Sequence, residues 1–182
     1  DNVEPHELHL TDKPFNRYYL HSVDGFVYMS EQVHSELRAY SDAPALFSPH
    51  PLFENFGERV ERSEACVRLG LDPANRYVLF FGLIRDYKGL DLLLDAWAQL
   101  RRAGRTEGRR LIVAGEFYTA REPYLNRIAD NGLQDEVLLH DRFIPDDDVK
   151  YYFSAADFVV QPYKTATQSG VTQIAYQFCV PM

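Results

Sequence analysis

Tyr77-Val78-Leu79-Phe80-Phe81-Gly82-Leu83-Ile84-Arg85-Asp86-Tyr87-Lys88-Gly89-Leu90-Asp91-Leu92-Leu93-Leu94-Asp95-Ala96-Trp97-Ala98-Gln99-Leu100-Arg101-Arg102 decides the fold. Its first five residues are an unbroken apolar run, rich in aromatic and β-branched side chains. Such a run suits a strand covered on both faces, as in a parallel sheet. From Leu90 the period changes. Leu90, Leu93, Leu94, Trp97 and Leu100 recur at helical spacing, with Asp91, Asp95 and Gln99 on the opposite face. Arg101 and Arg102 close the helix, where cations suit its negative end. Between strand and helix lies a short basic turn flanked by Gly82 and Gly89.

That turn carries the chemistry. The start of a helix presents unpaired N–H groups and partial positive charge. Arg85 and Lys88 add two cations, and the glycines permit close backbone approach. Ligands of open α/β sheets bind at the carboxyl ends of the strands, which is where the turn falls. Two readings stand: a site for a phosphate or diphosphate, or a surface turn whose cations are merely solvated. The turn is not a Walker loop, since no Ser or Thr follows a Gly-Lys pair, and no Gly-x-Gly-x-x-Gly occurs.

Strands alternating with helices from residue 74 onward predict an α/β, doubly wound parallel sheet. Residues 110–116, 136–140 and 158–163 read as the further strands. Helices are expected over 63–69, over 123–131 with Tyr124, Leu125 and Ile128 on one face, and after Pro145. In that last helix Asp146, Asp147 and Asp148 suit the positive end. Lys164-Thr165-Ala166-Thr167-Gln168-Ser169-Gly170-Val171 leads into a final helix, and small hydroxyl residues there suit phosphate or sugar oxygens. His140 and Arg142 read as solvent-facing.

Upstream, Phe15–His21 reads as a helix with its aromatics in a core. Strands are expected near 25–29 and 43–48. Between them Ser30 reads as the N-cap of a helix reaching about Tyr40. Pro49 to Gly57, stiffened by two prolines, reads as a linker.

The chain has 182 residues, enough for one good core or for one domain and part of another. A net charge of −8 argues against non-specific nucleic-acid binding. No apolar run approaches the ~18 residues of a membrane-spanning helix. Cys66 and Cys179 stand in no metal or redox spacing, which fits reduced thiols and a cytoplasmic setting. His6 and His9 are not spaced as in the His-Glu-x-x-His zinc motif, so no metal site is expected.

Phe80 to Ala96 resembles the donor-site signature of retaining glycosyltransferases of family 4. That family has the GT-B fold, two Rossmann-like domains facing across a cleft. The resemblance implies a glycosyltransferase that moves a sugar from a nucleoside-diphosphate sugar to an acceptor hydroxyl in glycan or polysaccharide synthesis. By the same resemblance Gly82, Arg85 and Lys88 hold the donor diphosphate. Glu116 approaches a ribose hydroxyl, unless it is an ordinary acidic turn residue, and Ile144 packs on the base. Thr167, Gln168, Ser169 and Gly170 face the nucleoside or sugar. His6 and Glu7 lie in a loop facing the cleft and are the catalytic candidates, with a capped surface loop as the plain alternative.

The domains implied are 1–49, the end of an acceptor-side domain; 50–73, a linker and entry helix; and 74–182, a truncated nucleotide-sugar domain. The chain is read as an internal fragment of a longer enzyme. No cofactor and no metal are implied beyond the nucleotide-sugar itself. The acceptor would be a glycan or a lipid-linked saccharide, and the location cytoplasmic with peripheral membrane contact open. Many relatives carry a spaced pair of glutamates near the final loop; this sequence has no Glu after Glu136. Two rivals remain: a nucleotide-sugar epimerase of the same fold, and a non-catalytic nucleotide-binding piece.

Overall fold

A computed structural model describes residues 3, 12–166 and 169–182. The chain divides into two compact units, Asp1–Pro51 with Thr165–Gly170, and Leu52–Lys164 with Val171–Met182.

In the first unit, helix α1 (Asp12–His21) precedes strand β1 (Phe26–Tyr28), helix α2 (Glu31–Arg38) and strand β2 (Ala45–Phe47). β1 and β2 pair in parallel, with Phe26 opposite Ala45. Parallel pairing needs a crossover, and α2 provides it. Ser30 caps α2, its hydroxyl accepting from the Val33 N–H at 3.3 Å. Val33 and Leu37 of α2 join Leu20 and Val3 in a small core. The aromatics expected in that core are outside it. Phe15, Tyr18 and Tyr19 are 70%, 75% and 65% exposed, because α1 turns only Leu20 inward among the described side chains.

The second unit is built on four parallel strands: β3 (Arg76–Phe81), β4 (Arg109–Ala114), β5 (Val137–His140) and β6 (Phe158–Val159). Their order is β5-β4-β3-β6. β3 is central, and its side chains alternate between two cores as period-2 geometry requires. Tyr77, Leu79 and Phe81 face one core, with residues of helix α3 (Arg62–Leu69), helix α6 (Asp146–Ala155) and helix α7 (Gly170–Gln177). Val78 and Phe80 face the other, with helix α4 (Leu90–Arg102) and helix α5 (Glu122–Asp130). Covering both faces explains why β3 has no charged side chain after Arg76.

α4 docks through Leu90, Leu93, Leu94 and Trp97. Trp97 donates to Glu136 at 2.9 Å, and Arg101 pairs with the same carboxylate at 3.1 Å. Leu100, expected inward, is 40% exposed, since the apolar stripe ends one turn earlier. β6 is shorter than the sequence suggested. Val160 still donates to Leu79 at 2.9 Å, but Pro162 has no N–H to continue the ladder. On the other side Val159 donates to the Pro181 carbonyl at 2.8 Å.

Candidate anion-binding site

The strand order reverses at β3. From β3 the chain adds β4 and β5 on one side, then returns to place β6 on the other. At such a switch point the loops leaving two adjacent strands diverge and open a crevice at their carboxyl ends. Here those loops are the basic turn after β3 and the Gln161–Lys164 segment after β6.

The basic turn is pinned from both sides. Gly82 donates to the Ala114 carbonyl at 2.9 Å and Ile84 to Glu116 at 2.8 Å; Tyr118 donates back to Ile84 at 2.9 Å. Asp86–Lys88 then forms one 3-10 turn, ended by Gly89 at φ 70°. The room at Gly89 serves the protein rather than a ligand. A Cβ there would lie against the Pro162 carbonyl oxygen. Gly115, at φ 147°, is similarly closed off by the Gly82 carbonyl.

Lys88 is the unusual group. It is only 9% exposed, and among the described residues it makes no ion pair. Its ammonium lies 5.8 Å from the Tyr163 ring centroid. Burial, and secondarily the Arg85 charge, pull its pKa down to about 8. Such a cation is costly in the bare protein and is relieved by an anion. Arg85 lies over Tyr118, 5.0 Å from the ring centroid.

Beside the turn, on the α6 face, lies an apolar cavity of about 170 Å³ lined by Leu83, Glu116, Phe143 and Ile144 among others. Ile144 is buried, while Glu116 is exposed at the rim and its backbone carbonyl binds Ile84. Gly82, Glu116 and Ile144 thus line one cavity, with Arg85 and Lys88 on the turn that leaves it. Ser169 and Gly170 belong to the segment grouped with the first unit, Gly170 opening α7. His6, Glu7, Thr167 and Gln168 lie outside the described residues.

His140 is not solvent-facing, contrary to the sequence expectation. Its Nδ1 is 2.8 Å from the Tyr152 hydroxyl, and burial pushes its pKa down. Sequence reasoning also passed over Tyr118, Tyr163 and Lys164. Their signal was positional: each follows the carboxyl end of a strand adjacent to, or bonded with, the basic turn.

The family description "Glycosyl transferases group 1" matches residues 75–182, more than half of the chain. The chain belongs to the group 1 glycosyl transferase family. Among curated relatives, the lipopolysaccharide core biosynthesis mannosyltransferase LpsB of Rhizobium meliloti (strain 1021) is 31% identical over 138 residues. That match covers 69% of this chain and 36% of LpsB. A D-inositol 3-phosphate glycosyltransferase of Segniliparus rotundus is 34% identical over 122 residues, covering 65% of this chain and 26% of that protein. The chain therefore spans about a quarter to a third of the length of the curated relatives it matches. Among solved structures, sucrose-phosphate synthase from Thermosynechococcus elongatus superposes with a TM-score of 0.76 at 21% identity, over 91% of this chain and 41% of that one. The fold is thus α/β with parallel sheets, as in GT-B glycosyltransferases.

Proposed function

We propose that this chain carries the donor diphosphate site of a retaining family 4 glycosyltransferase. The enzyme moves a hexosyl group from a nucleoside-diphosphate sugar to an acceptor hydroxyl. The observation that carries this reading is the Lys88 ammonium, 9% exposed, without an ion pair among the described residues, at the switch point of a parallel sheet.

The chemistry follows from charge. As the bond from the anomeric carbon to the β-phosphate oxygen breaks, negative charge grows on the leaving diphosphate. Fixed cations in a water-poor site stabilise that charge more than they stabilise the bound substrate. Lys88 and Arg85 supply them. The cavity beside Ile144 suits the base, and Glu116 at its rim suits a ribose hydroxyl. The solved Anabaena Alr3699/HepE complexed with UDP-glucose has the same fold, with a TM-score of 0.73 at 15% identity, over 96% of this chain and 48% of that one. The name of LpsB supports a lipid-linked glycan as acceptor. No described helix is long and apolar enough to cross a membrane. We place the enzyme at the cytoplasmic face, in peripheral contact with the membrane.

The test is a calorimetric titration of the chain with UDP, GDP and ADP, repeated on Lys88→Ala. Saturable binding of one diphosphate, lost in the variant, is expected. A folded chain that binds none of them, or a variant that binds as tightly as the parent, overturns the reading.

A further inference from the structure

We infer that Lys164 is a positioning residue of the anion site: it neutralises Asp86 and Asp91 and ties the Asp86–Lys88 turn to the loop after β6. The inference rests on the donor-site reading above.

The turn has an electrostatic problem. Asp86 is part of the same 3-10 turn as Lys88 and follows Arg85 directly. Asp91 sits in the first turn of α4. Two carboxylates on the turn and at the start of α4 put negative charge beside the site and would repel a diphosphate. Lys164 answers both. Its ammonium lies 2.9 Å from an Asp86 oxygen and 3.0 Å from an Asp91 oxygen. Its backbone N–H donates to the Tyr87 carbonyl at 2.7 Å, inside the turn itself. With Pro162 packed on Gly89, the loop after β6 holds the basic turn at three points.

The two lysines are in opposite states. Lys88 is buried and its pKa is pulled down, whereas the hydrogen bonds that Lys164 donates to Asp86 and Asp91 hold its own pKa above the ordinary lysine value. Lys164 therefore stays charged and committed to the carboxylates, and Lys88 is left for the ligand. The other oxygen of Asp91 is buried with no hydrogen-bond partner among the described residues. Asp91 thus relies on Lys164 for its charge compensation.

The experiment titrates the 182-residue chain with UDP, GDP and ADP and with the matching nucleosides. The variants are Lys164→Met, Lys164→Met combined with Asp86→Asn and Asp91→Asn, and Asp86→Asn/Asp91→Asn with Lys164 retained. Lys164→Met is expected to weaken diphosphate binding about tenfold, the scale of a lost charged hydrogen bond, and to leave nucleoside binding unchanged. The triple variant is expected to recover most of the loss, because the carboxylates no longer need a cation. A merely structural lysine gives no such recovery. If Lys164→Met fails to fold, the double variant decides: with Lys164 released as an extra cation, its diphosphate affinity should rise. Parent-like affinity of Lys164→Met, a triple variant as weak as Lys164→Met, or a double variant weaker than the parent overturns the inference. These outcomes leave parental binding and its loss in Lys88→Ala intact. A parent that binds no diphosphate instead overturns the site reading, and this inference with it.

Discussion

The Lys88 ammonium rests against the bare Cα of Gly82: a Cβ added at Gly82 would stand 3.0 Å from Lys88 Nζ. Gly82 also has φ 99°, a conformation that side chains rarely adopt. Gly82→Ala therefore strains the backbone and pushes the ammonium out of its position. A loss of about 1–3 kcal/mol in stability is expected from the dihedral alone, together with weaker binding of nucleoside diphosphate. Denaturant unfolding and calorimetry on the same preparation separate the two effects.

Lys88 itself should oppose folding. Its pKa falls from 10.5 in the unfolded chain to about 8 in the native protein. Below pH 8 the native state must carry a buried charge. Between about pH 8 and 10.5 the unfolded chain binds more protons, so stability should rise with pH through that window. The full shift corresponds to roughly 3 kcal/mol. Lys88→Met removes the buried charge while keeping most of the volume. It is expected to be more stable than the parent by about 2 kcal/mol at neutral pH, to lose the rise above pH 8, and to bind no diphosphate. A Lys88→Met chain less stable than the parent would show that Lys88 is compensated in the free protein.

The same ionisation sets the pH range of binding. Only the charged ammonium attracts the diphosphate. Affinity should hold steady up to about pH 8 and decline above it, approaching tenfold per pH unit until the bound-state pKa is reached. Titrations at about pH 7.5 and pH 9.5 compare the limits. Lys88→Arg, charged throughout, should remove the decline if it binds at all.

Much of this was legible in the sequence. The apolar run of β3 could be covered only from both faces, and the switch from period 2 to 3.6 at Leu90 located the turn where Arg85 and Lys88 stand. Ser30 announced α2 by its capping chemistry. What was not legible depends on distant partners. Phe15, Tyr18 and Tyr19 have the composition of a core, but composition does not say which helix face meets another element. Gly89 looked like room for a ligand, yet the Pro162 carbonyl fills it from a segment far along the chain. Lys164 was one polar residue in a polar loop until the fold brought it to Asp86 and Asp91.

His140 provides a second, acid-side test. Its Nδ1 lies 2.8 Å from the Tyr152 hydroxyl. Burial, with the Arg142 charge as the smaller cause, holds the His140 pKa below the usual 6.5. The unfolded chain thus gains its proton first on acidification. Stability contributed here is complete above pH 6.5 and is lost as pH falls toward the depressed native value. Tyr152→Phe removes the hydroxyl that links the two side chains. It should cost about 1 kcal/mol at neutral pH and leave the acid-side slope unchanged, because burial and the Arg142 charge are what lower the histidine pKa. Thermal unfolding of parent and variant from neutral pH to about pH 5 measures both effects. A shallower slope in the variant would show that the Tyr152 hydroxyl also favours the neutral imidazole.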